Sequence, residues 1–216
     1  MYLIIKRVID LIVALIGIII LSPVFLILII AIKLDSKGPV LFKQKRVGIN
    51  KTYFNILKFR TMRIDSPKDT PTHLLKNPEQ YITSVGNFMR KTSLDELPQL
   101  INILSGTMSC IGPRPALWNQ YDLIAKRDKY KANRILPGVS GWAQINGRDA
   151  ISIDAKAKFD GEYVKRVSFR FDIYIFLRTI ANVLNRAGVV EGGTGVLSLE
   201  EIAATQEPAS MTTSLE

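Results

Sequence analysis

Residues 11–32 read LIVALIGIIILSPVFLILIIAI, an apolar run of 22 residues that contains no charged side chain. At about 1.5 Å per residue, a helix of this length is long enough to cross the roughly 30 Å hydrocarbon core of a bilayer. The sequence therefore predicts a membrane element over residues 1–34.

The charges on either side of this run argue against a simple crossing. Lys6 and Arg7 precede it, and basic residues also follow it, at Lys33, Lys37, Lys43, Lys45 and Arg46. A helix that crosses a membrane collects basic residues mainly on its cytoplasmic side. Pro23 removes a backbone donor and bends or breaks a helix, while Ser22 can satisfy part of the freed backbone inside lipid. These residues favour a re-entrant helix–break–helix hairpin that enters and leaves by one face, although a kinked spanning helix stays open.

Composition limits the class of the remaining chain. With 216 residues and one apolar segment, the rest has the size of one compact domain, predicted over residues 35–190. The formal net charge of +10, beside a membrane segment, indicates anionic headgroups and phosphorylated substrates more simply than nucleic acid. Cys110 is the only cysteine, so the chain forms no internal disulfide. Residues 191–216, rich in Glu, Ser and Thr, are predicted to be a mobile acidic tail.

The predicted fold class is α+β and mostly helical. Two strands, residues 40–46 and 53–59, form a short β-hairpin through a turn at residues 48–51. Residues 64–81 contain three prolines and indicate a surface loop.

Helical patterns follow these strands. Helices are predicted over residues 95–104, 116–134 and 173–187, and the last is capped by Gly188. The last helix carries an apolar stripe that fits either the domain core or the lipid interface, and the sequence leaves both open. The predicted architecture includes helices at the membrane interface, with the last helix as the candidate if its stripe faces lipid.

Two adjacent carboxylates, Asp95 and Glu96, lie at the predicted start of a helix. Pro98 is tolerated only in a first helical turn, which places that start close to Asp95. Unpaired backbone N–H groups at such a place favour phosphate. Ser93 and Glu96 also have the spacing of a capping box, so a purely structural role for the acidic pair stays open.

Basic residues accompany the acidic pair in the sequence. Arg90 lies just upstream, and Arg114 lies between two prolines, which present its planar guanidinium on a stiff backbone suited to phosphate or pyrophosphate. Lys58 lies in a predicted strand, where a solvated strand face is the plain alternative. The set indicates a site for an anionic ligand.

A glycine-rich stretch, residues 137–148, is a further candidate, because glycines let the backbone approach a ligand closely. Arg148 ends it with another cation, and Trp142 fits a stacked base, a membrane interface or the core. His73 is the only histidine, which argues against a His-based triad or a metal cage. What remains is a carboxylate nucleophile or metal ligand with several fixed cations, a set suited to phosphoryl chemistry.

The chain resembles the small monotopic phosphoglycosyl transferases of bacterial polysaccharide and glycan assembly. The motifs that carry this resemblance are Ser22-Pro23, KFRTM at 58–62, LDELPQ at 94–99, GPRP at 112–115 and GWAQINGR at 141–148. Members of this family transfer a sugar-1-phosphate from a UDP-sugar to polyprenol phosphate and release UMP. The resemblance implies a non-spanning helix, an active site on the cytoplasmic face of the bacterial cytoplasmic membrane, and Mg²⁺. The chain also looks like the minimal catalytic form of the family.

The resemblance implies roles for single residues. Asp95 is expected to attack the sugar-bearing phosphorus, giving a covalent phosphosugar intermediate, and to hold Mg²⁺ with pyrophosphate oxygens. Glu96 orients the acceptor, takes a proton or adds to the metal site. A carboxylate among cations and Mg²⁺ is expected to stay ionised. The expected substrate-binding residues are Lys58, Arg90, Arg114, Arg148 and Asp172, with Lys58 and Asp172 acting as ligand contacts or as an ion pair that organises the site.

The expected partners are a UDP-sugar, polyprenol phosphate and membrane lipids, without nucleic acid. The sequence leaves open a homo-oligomer, downstream glycosyltransferases, the identity of the sugar and the pathway. Two other classes would share some of these features. A membrane-tethered, non-catalytic scaffold would use the same anchor with the acidic pair as a helix cap, and a nucleic-acid binder would explain the charge alone.

Overall fold

The computed structural model describes residues 2–67, 77–147 and 151–184, which are mostly helical with two small two-stranded sheets. The helices are α1 Tyr2–Asp35, α2 Ser84–Thr92, α3 Gln99–Leu104, α4 Tyr121–Lys129, α5 Trp142–Ile145, α6 Ile153–Arg166 and α7 Phe169–Leu184. The strands are β1 Leu41–Val47, β2 Tyr53–Phe59, β3 Ser109–Ile111 and β4 Gly138–Ser140. The predicted acidic tail lies outside the described residues.

The apolar N-terminal run forms one helix, α1, which continues through Pro23. Pro23 has no N–H to donate to the carbonyl of Ile19, one turn earlier, and the Ser22 hydroxyl donates to that carbonyl at 2.8 Å instead. The helix therefore survives without the interruption that the sequence predicted, and the expected role of Ser22 is confirmed. Among the described residues, α1 is the helix that is long and apolar enough to cross a membrane, judged by length and composition.

Both halves of α1 pack on the same domain. In the first half, Ala14 is buried against Ile103 and Met108. In the second half, Leu28 and Ile32 are buried in another cluster, which is completed by Phe59 and Met89. The opposite side of the helix stays exposed, with Ile19, Ile20, Leu26 and Ile27 each more than half accessible. The domain thus covers one side of α1 and leaves the other as a long apolar surface.

Polar contacts fix the two ends of α1. Near its start, Asp10 is buried and accepts hydrogen bonds from the Ser109 hydroxyl at 2.7 Å and the Cys110 amide at 3.0 Å. At its end, the buried Arg60 guanidinium donates to the carbonyls of Ser36 at 2.6 Å and Lys37 at 2.9 Å. A cation at a helix C-terminus also complements the helix dipole. These contacts hold α1 against the domain over its whole length.

The predicted β-hairpin is confirmed. Strands β1 and β2 pair antiparallel, with Leu41 opposite Phe59 and Val47 opposite Tyr53. A short 3-10 turn, Ile49–Lys51, lies at the predicted turn. Asn50 there adopts a φ of 51°, a left-handed conformation that asparagine tolerates well. The described ends of the predicted loop over residues 64–81 contain only turns and a 3-10 helix, Pro78–Gln80.

Two predicted helices are shorter in the structure. The predicted helix 95–104 is a 3-10 turn, Leu94–Glu96, followed by α3. The predicted helix 116–134 is reduced to α4, because Lys131 has a left-handed φ of 59° that ends the helix before a further 3-10 turn. The pattern identified the helices, but it did not reveal these local turns.

The C-terminal predicted helix corresponds to α7, which begins earlier, at Phe169. Its predicted end at Ala187 and the cap Gly188 lie outside the described residues. The apolar stripe faces outward, and its core alternative is wrong for the residues whose exposure is described: Ile173, Phe176, Leu177, Ile180 and Val183. The buried side of α7 is carried instead by Phe171 and Ile175.

Strands β3 and β4 were not predicted. They pair in parallel, with Ser109 opposite Gly138 and Ile111 opposite Ser140. Gly112 donates its N–H to the Ser140 carbonyl at 2.8 Å, and the backbones come so close that a Cβ at Gly138 would clash with Gly112. This close approach explains why glycines occur at both positions.

Candidate active site

The acidic pair lies in a sharp connection between two helices. Helix α2 ends at Thr92, Ser93 adopts a left-handed φ of 56°, and the 3-10 turn Leu94–Glu96 leads into α3. The Ser93 hydroxyl makes no capping hydrogen bond. The capping-box alternative is therefore wrong, since the Glu96 carboxylate is turned toward basic side chains instead.

Two cations contact the acidic pair directly. Lys58 projects from β2 and places its Nζ atom 2.6 Å from Glu96 Oε1 and 3.5 Å from Asp95 Oδ2. Arg114 donates from a guanidinium nitrogen to the same Glu96 oxygen at 3.2 Å. Glu96 is thus the centre of an ion-pair cluster, and charge-assisted bonds of this kind fix side chains firmly. The structure brings together Lys58, Arg114 and both carboxylates, as the sequence predicted.

The loop that carries Arg114 is held rigidly. The Pro113 carbonyl accepts from the Gly138 amide at 2.9 Å, and the adjoining Gly112 amide binds the carbonyl of Ser140. These bonds tie the loop to β4, so the guanidinium is presented on a fixed backbone. The predicted stiffness of this segment therefore has a structural cause beyond its two prolines.

Arg90 completes the basic surroundings of Asp95. Its Nε atom donates to the Thr61 hydroxyl at 2.9 Å, which orients the side chain from the end of α2. The positive charges of Lys58, Arg90 and Arg114 all act to lower the pKa of Asp95. Three of the predicted cations thus influence the same carboxylate.

Burial nevertheless dominates the protonation of Asp95, which is only 9% exposed. The pKa of its carboxyl is raised above the usual value, chiefly because burial disfavours the charged form, and the neighbouring Glu96 adds to the rise. Burial therefore opposes the three cations, which were expected together with Mg²⁺ to favour the ionised carboxylate. Within the described residues, Asp95 Oδ1 accepts no hydrogen bond.

A family comparison fits this geometry. The model for "Bacterial sugar transferase" matches residues 1–186. The chain belongs to the bacterial sugar transferase family. The match to the family model thus covers α1, the acidic pair and the loop that carries Arg114.

Curated relatives of this bacterial sugar transferase point the same way. A UDP-glucose:undecaprenyl-phosphate glucose-1-phosphate transferase of Escherichia coli (strain K12) is 37% identical over 84% of this chain and 41% of its own length. EpsL of Bacillus subtilis (strain 168), an uncharacterized sugar transferase, is 39% identical over 86% of this chain and 90% of its own length. An Aeromonas hydrophila UDP-N-acetylgalactosamine-undecaprenyl-phosphate N-acetylgalactosaminephosphotransferase is 38% identical over 87% and 45%, respectively. The chain spans about two fifths of the length of the first and third relatives.

Asp172 of the bacterial sugar transferase lies in a different cluster. Its carboxylate accepts from Lys6 at 2.8 Å, from the Tyr2 hydroxyl at 2.6 Å and from the Tyr163 hydroxyl at 2.8 Å. It does not pair with Lys58, so the two residues do not form one organising ion pair. These contacts join α1, α6 and α7, and they make Asp172 part of the attachment of the N-terminal helix.

The predicted roles of two residues in the glycine-rich stretch, Arg148 and Trp142, are tested to different extents. Arg148 lies outside the described residues, so its role as a phosphate contact stays a prediction. Trp142 packs against Phe159 and Phe171, and its indole N–H donates to Glu162 at 2.9 Å. These contacts agree with the core alternative for Trp142, which is half-buried, while stacking on a base and contact with the membrane interface stay predictions.

A cleft of about 200 Å³ is lined by Glu96 of the acidic pair. Its polar wall includes Glu96 and Arg114, and its other walls come from α3, β4, α5 and α7. Sequence reasoning did not single out Gln144, which also lines this cleft. The signal was present in the GWAQINGR motif, but the sequence alone could not show which side of α5 faces the cleft.

The residues present fit Mg²⁺ only as part of a shared site. Within the described ranges, no group of three or more His, Cys, Asp or Glu side chains forms a metal cage. Mg²⁺ usually takes one or two carboxylates together with substrate phosphates and water. Asp95, with an oxygen that accepts no hydrogen bond, suits that arrangement, whereas Glu96 is already engaged by two cations.

Proposed function

We propose that this bacterial sugar transferase moves a sugar-1-phosphate from a UDP-sugar to polyprenol phosphate, undecaprenyl phosphate in its bacterial form, and releases UMP. Two of the relatives, those of Escherichia coli and Aeromonas hydrophila, are named as transferases of this type for glucose and N-acetylgalactosamine, which supports the reaction class and leaves the sugar open. The observation that carries the proposal is the Asp95 carboxylate, buried beside Lys58, Arg90 and Arg114.

Asp95 acts as the nucleophile in this proposal. One of its carboxylate oxygens attacks the phosphorus that bears the sugar, and the bond from that phosphorus to the bridging oxygen breaks, so UMP leaves with the electron pair. A phosphate oxygen of the polyprenol phosphate then attacks the same phosphorus and displaces the Asp95 carboxylate. The product is a polyprenyl diphosphate sugar. The positive charges of Lys58, Arg90 and Arg114 act to lower the pKa of Asp95 and so favour the ionised carboxylate that this attack requires.

Glu96 acts as a positioning residue. One of its carboxylate oxygens, Oε1, binds both Lys58 and Arg114, and this sets the distance between these cations and Asp95. Alignment of the cations that meet the phosphates is a further role, beside the three predicted from the sequence, and it follows from these two contacts. Arg114, Arg90 and Arg148 are then the groups that bind phosphate or phosphosugar oxygens.

Mg²⁺ is the proposed cofactor. When bound, it would neutralise negative charge on the diphosphate and on the departing UMP. Asp95 would hold it together with oxygens of the substrate. Lys58, Arg90 and Arg114 would then balance only the remaining negative charge of the substrate.

We assign the protein to the cytoplasmic face of the bacterial cytoplasmic membrane, with α1 re-entrant. The packing of both halves of α1 on one domain supports this placement, because a straight crossing would carry one half away from that domain. The outward apolar stripe of α7 would lie at the same lipid interface. Polyprenol phosphate would then reach Asp95 laterally from the bilayer, and membrane lipids would surround α1.

The test is UMP release by protein purified into nanodiscs, with undecaprenyl phosphate and a panel of UDP-sugars, with and without Mg²⁺. Asp95→Asn is the key variant, and Asp122→Asn, an exposed residue at the start of α4, is its matched control. We expect Mg²⁺-dependent release that Asp95→Asn lowers at least a thousandfold and Asp122→Asn leaves unchanged, by analogy with the loss of a covalent nucleophile at about 10⁴ to 10⁶.

A non-catalytic scaffold predicts a different result. Folded wild-type protein would then release no UMP from any sugar of the panel, and Asp95→Asn would still support function in cells. The contact of Glu96 with two cations, in place of a helix cap, favours the enzyme over the scaffold.

A further inference from the structure

Gln144 carries an unusual pair of buried polar atoms. Neither its Nε2 nor its Oε1 atom has a hydrogen-bond partner within the described part of the chain, although both are buried. Leaving a buried polar group unpaired costs about 1–3 kcal/mol. Folded proteins pair nearly all such groups, so an amide with both atoms unpaired calls for a ligand or an ordered water.

The backbone around Gln144 is fixed. The Asn182 side chain donates to the Ile145 carbonyl at 3.3 Å, and the Asn146 side chain donates to the Trp142 carbonyl at 2.8 Å. Gly141 leaves room for the amide, because a Cβ at that position would lie only 2.6 Å from Gln144 Oε1. The amide is therefore held in place by its surroundings rather than by hydrogen bonds of its own.

The position of Gln144 connects it with the proposed reaction. It lines the same cleft as Glu96 and Arg114. The cleft is also lined by five apolar side chains, those of Leu97, Leu100, Val139, Ile145 and Val183. An amide in a cleft with apolar walls offers two hydrogen bonds to the edge of a ring and apolar contact to its faces.

We infer that Gln144 binds the uracil ring of the UDP-sugar through its imide edge. Uracil presents the N3–H donor and a carbonyl acceptor side by side in one plane, which matches Oε1 and Nε2 of one carboxamide. This inference rests on the proposed function and assigns one part of the donor substrate to one residue. Gln144 is a substrate-binding residue in this account, and the chemical step itself stays with Asp95.

Other parts of the substrate match this amide less well. Phosphate oxygens only accept hydrogen bonds from Nε2 and would leave Oε1 unpaired. A trans acetamido group on a sugar directs its N–H and its C=O to opposite sides, so it cannot satisfy both atoms of one carboxamide. The uracil edge pairs with both atoms through one rigid planar group, whereas the ribose and sugar hydroxyls would need two separate groups to do so.

The experiment compares UDP-glucose with its N3-methyl-uridine analogue, or the corresponding pair for whichever UDP-sugar the wild-type protein uses. The methyl group removes the N3–H donor. In the wild-type protein we expect N3-methylation to lower kcat/KM about 10- to 100-fold, the effect of an unpaired buried polar group. In Gln144→Ala, which removes the partner and leaves space for the methyl group, we expect the same methylation to change kcat/KM less than about threefold.

Gln144→Leu and Asn182→Ala serve as controls. Gln144→Leu should lower kcat/KM for the unmodified donor mainly through KM, and its thermal midpoint without ligand should equal or exceed that of the wild type. Asn182→Ala removes a cleft amide that is already bonded to the Ile145 carbonyl. In this variant N3-methylation should still lower kcat/KM as much as it does in the wild type.

An equal cost of methylation in the wild type and in Gln144→Ala would overturn this inference and leave the proposed function intact. A loss of thermal stability in Gln144→Leu together with an unchanged KM would also overturn it, since Gln144 would then serve the fold alone. If wild-type protein releases no UMP from any unmodified UDP-sugar, the proposed function fails, and this inference fails with it.

Discussion

Asp95 combines two opposing influences at the scale of a single residue. Burial raises the pKa of its carboxyl, while the neighbouring Lys58 is the strongest of the influences that lower it. A nucleophilic carboxylate must be ionised to attack phosphorus. The lysine therefore controls the fraction of enzyme that is ready to react at a given pH, in addition to any contact with phosphate.

Replacing Lys58 tests this influence. In Lys58→Ala the pKa of Asp95 should rise further, so the acid limb of the profile of kcat/KM against pH should move to higher pH. Activity is lost as pH falls through this pKa, and kcat/KM on the acid limb should therefore drop about tenfold for each unit of the shift. Lys58→Arg should largely restore the limb, and Lys45→Ala, on the exposed side of β1, should leave it unchanged. An unshifted acid limb in Lys58→Ala would contradict the assignment.

Asp95 should also reduce the stability of the fold. An unfolded chain ionises this group near pH 3.8, whereas the folded protein does so only at a higher pH. As pH rises between these two values the unfolded state releases its proton first, so the wild-type protein loses stability over that range. Asp95→Asn should therefore raise the free energy of unfolding near neutral pH by roughly 0.5–2 kcal/mol, so the variant should unfold at a higher temperature. The gain should disappear below about pH 3.8, and a variant less stable at neutral pH would contradict this account.

At the scale of elements, α1 is fixed to the domain by residues far apart in the sequence. Lys6 binds Asp172 of α7, Asp10 binds Ser109 of β3, and Arg60 of the segment after β2 binds the end of the helix. Both ends of α1 are therefore anchored to one domain. Pro23 lies between the anchors, and the hydroxyl of Ser22 compensates for its missing donor.

This arrangement predicts how the topology of α1 can be altered. In a Cys110→Ala background carrying Leu3→Cys, an impermeant maleimide outside the membrane should not label the wild-type topology. Pro23→Ala restores a continuous backbone hydrogen-bond pattern and should give partial labelling from outside, which Asp172→Ala should increase by removing the contact with Lys6. Leu3 is exposed, so labelling after lysis is the positive control. If Pro23→Ala combined with Asp172→Ala gives no labelling from outside, neither Pro23 nor the contact between Lys6 and Asp172 determines the topology.

At the scale of the whole molecule, the sequence predicted those structural features that depend on residues close together in the chain. Two strand-like runs and the turn between them predicted the hairpin of β1 and β2. The KFRTM, LDELPQ and GPRP motifs pointed to Lys58, the acidic pair and Arg114. Those residues meet because β2, the turn after α2 and the loop after β3 converge, and their residue types already indicated anion chemistry.

Features that depend on distant contacts could not be predicted from the sequence. The pairing of β3 with β4 joins segments about 30 residues apart through two short strands without a periodic pattern. Asp10 and Tyr163 resemble an ordinary flanking charge and an ordinary helical aromatic residue until the fold buries them against Ser109 and Asp172. The balance of burial and charge at Asp95 likewise depends on how closely the domain encloses it.

The covalent phosphosugar on Asp95 is the central claim, and isotope exchange without acceptor tests it most directly. Purified protein, UDP-sugar and labelled UMP are incubated with Mg²⁺ in nanodiscs that lack polyprenol phosphate. The account predicts that label enters the UDP-sugar, because the intermediate re-forms the donor from labelled UMP, and that Asp95→Asn abolishes this exchange. Product formation with acceptor present, but no exchange in its absence, would contradict the covalent step and indicate direct transfer from donor to acceptor.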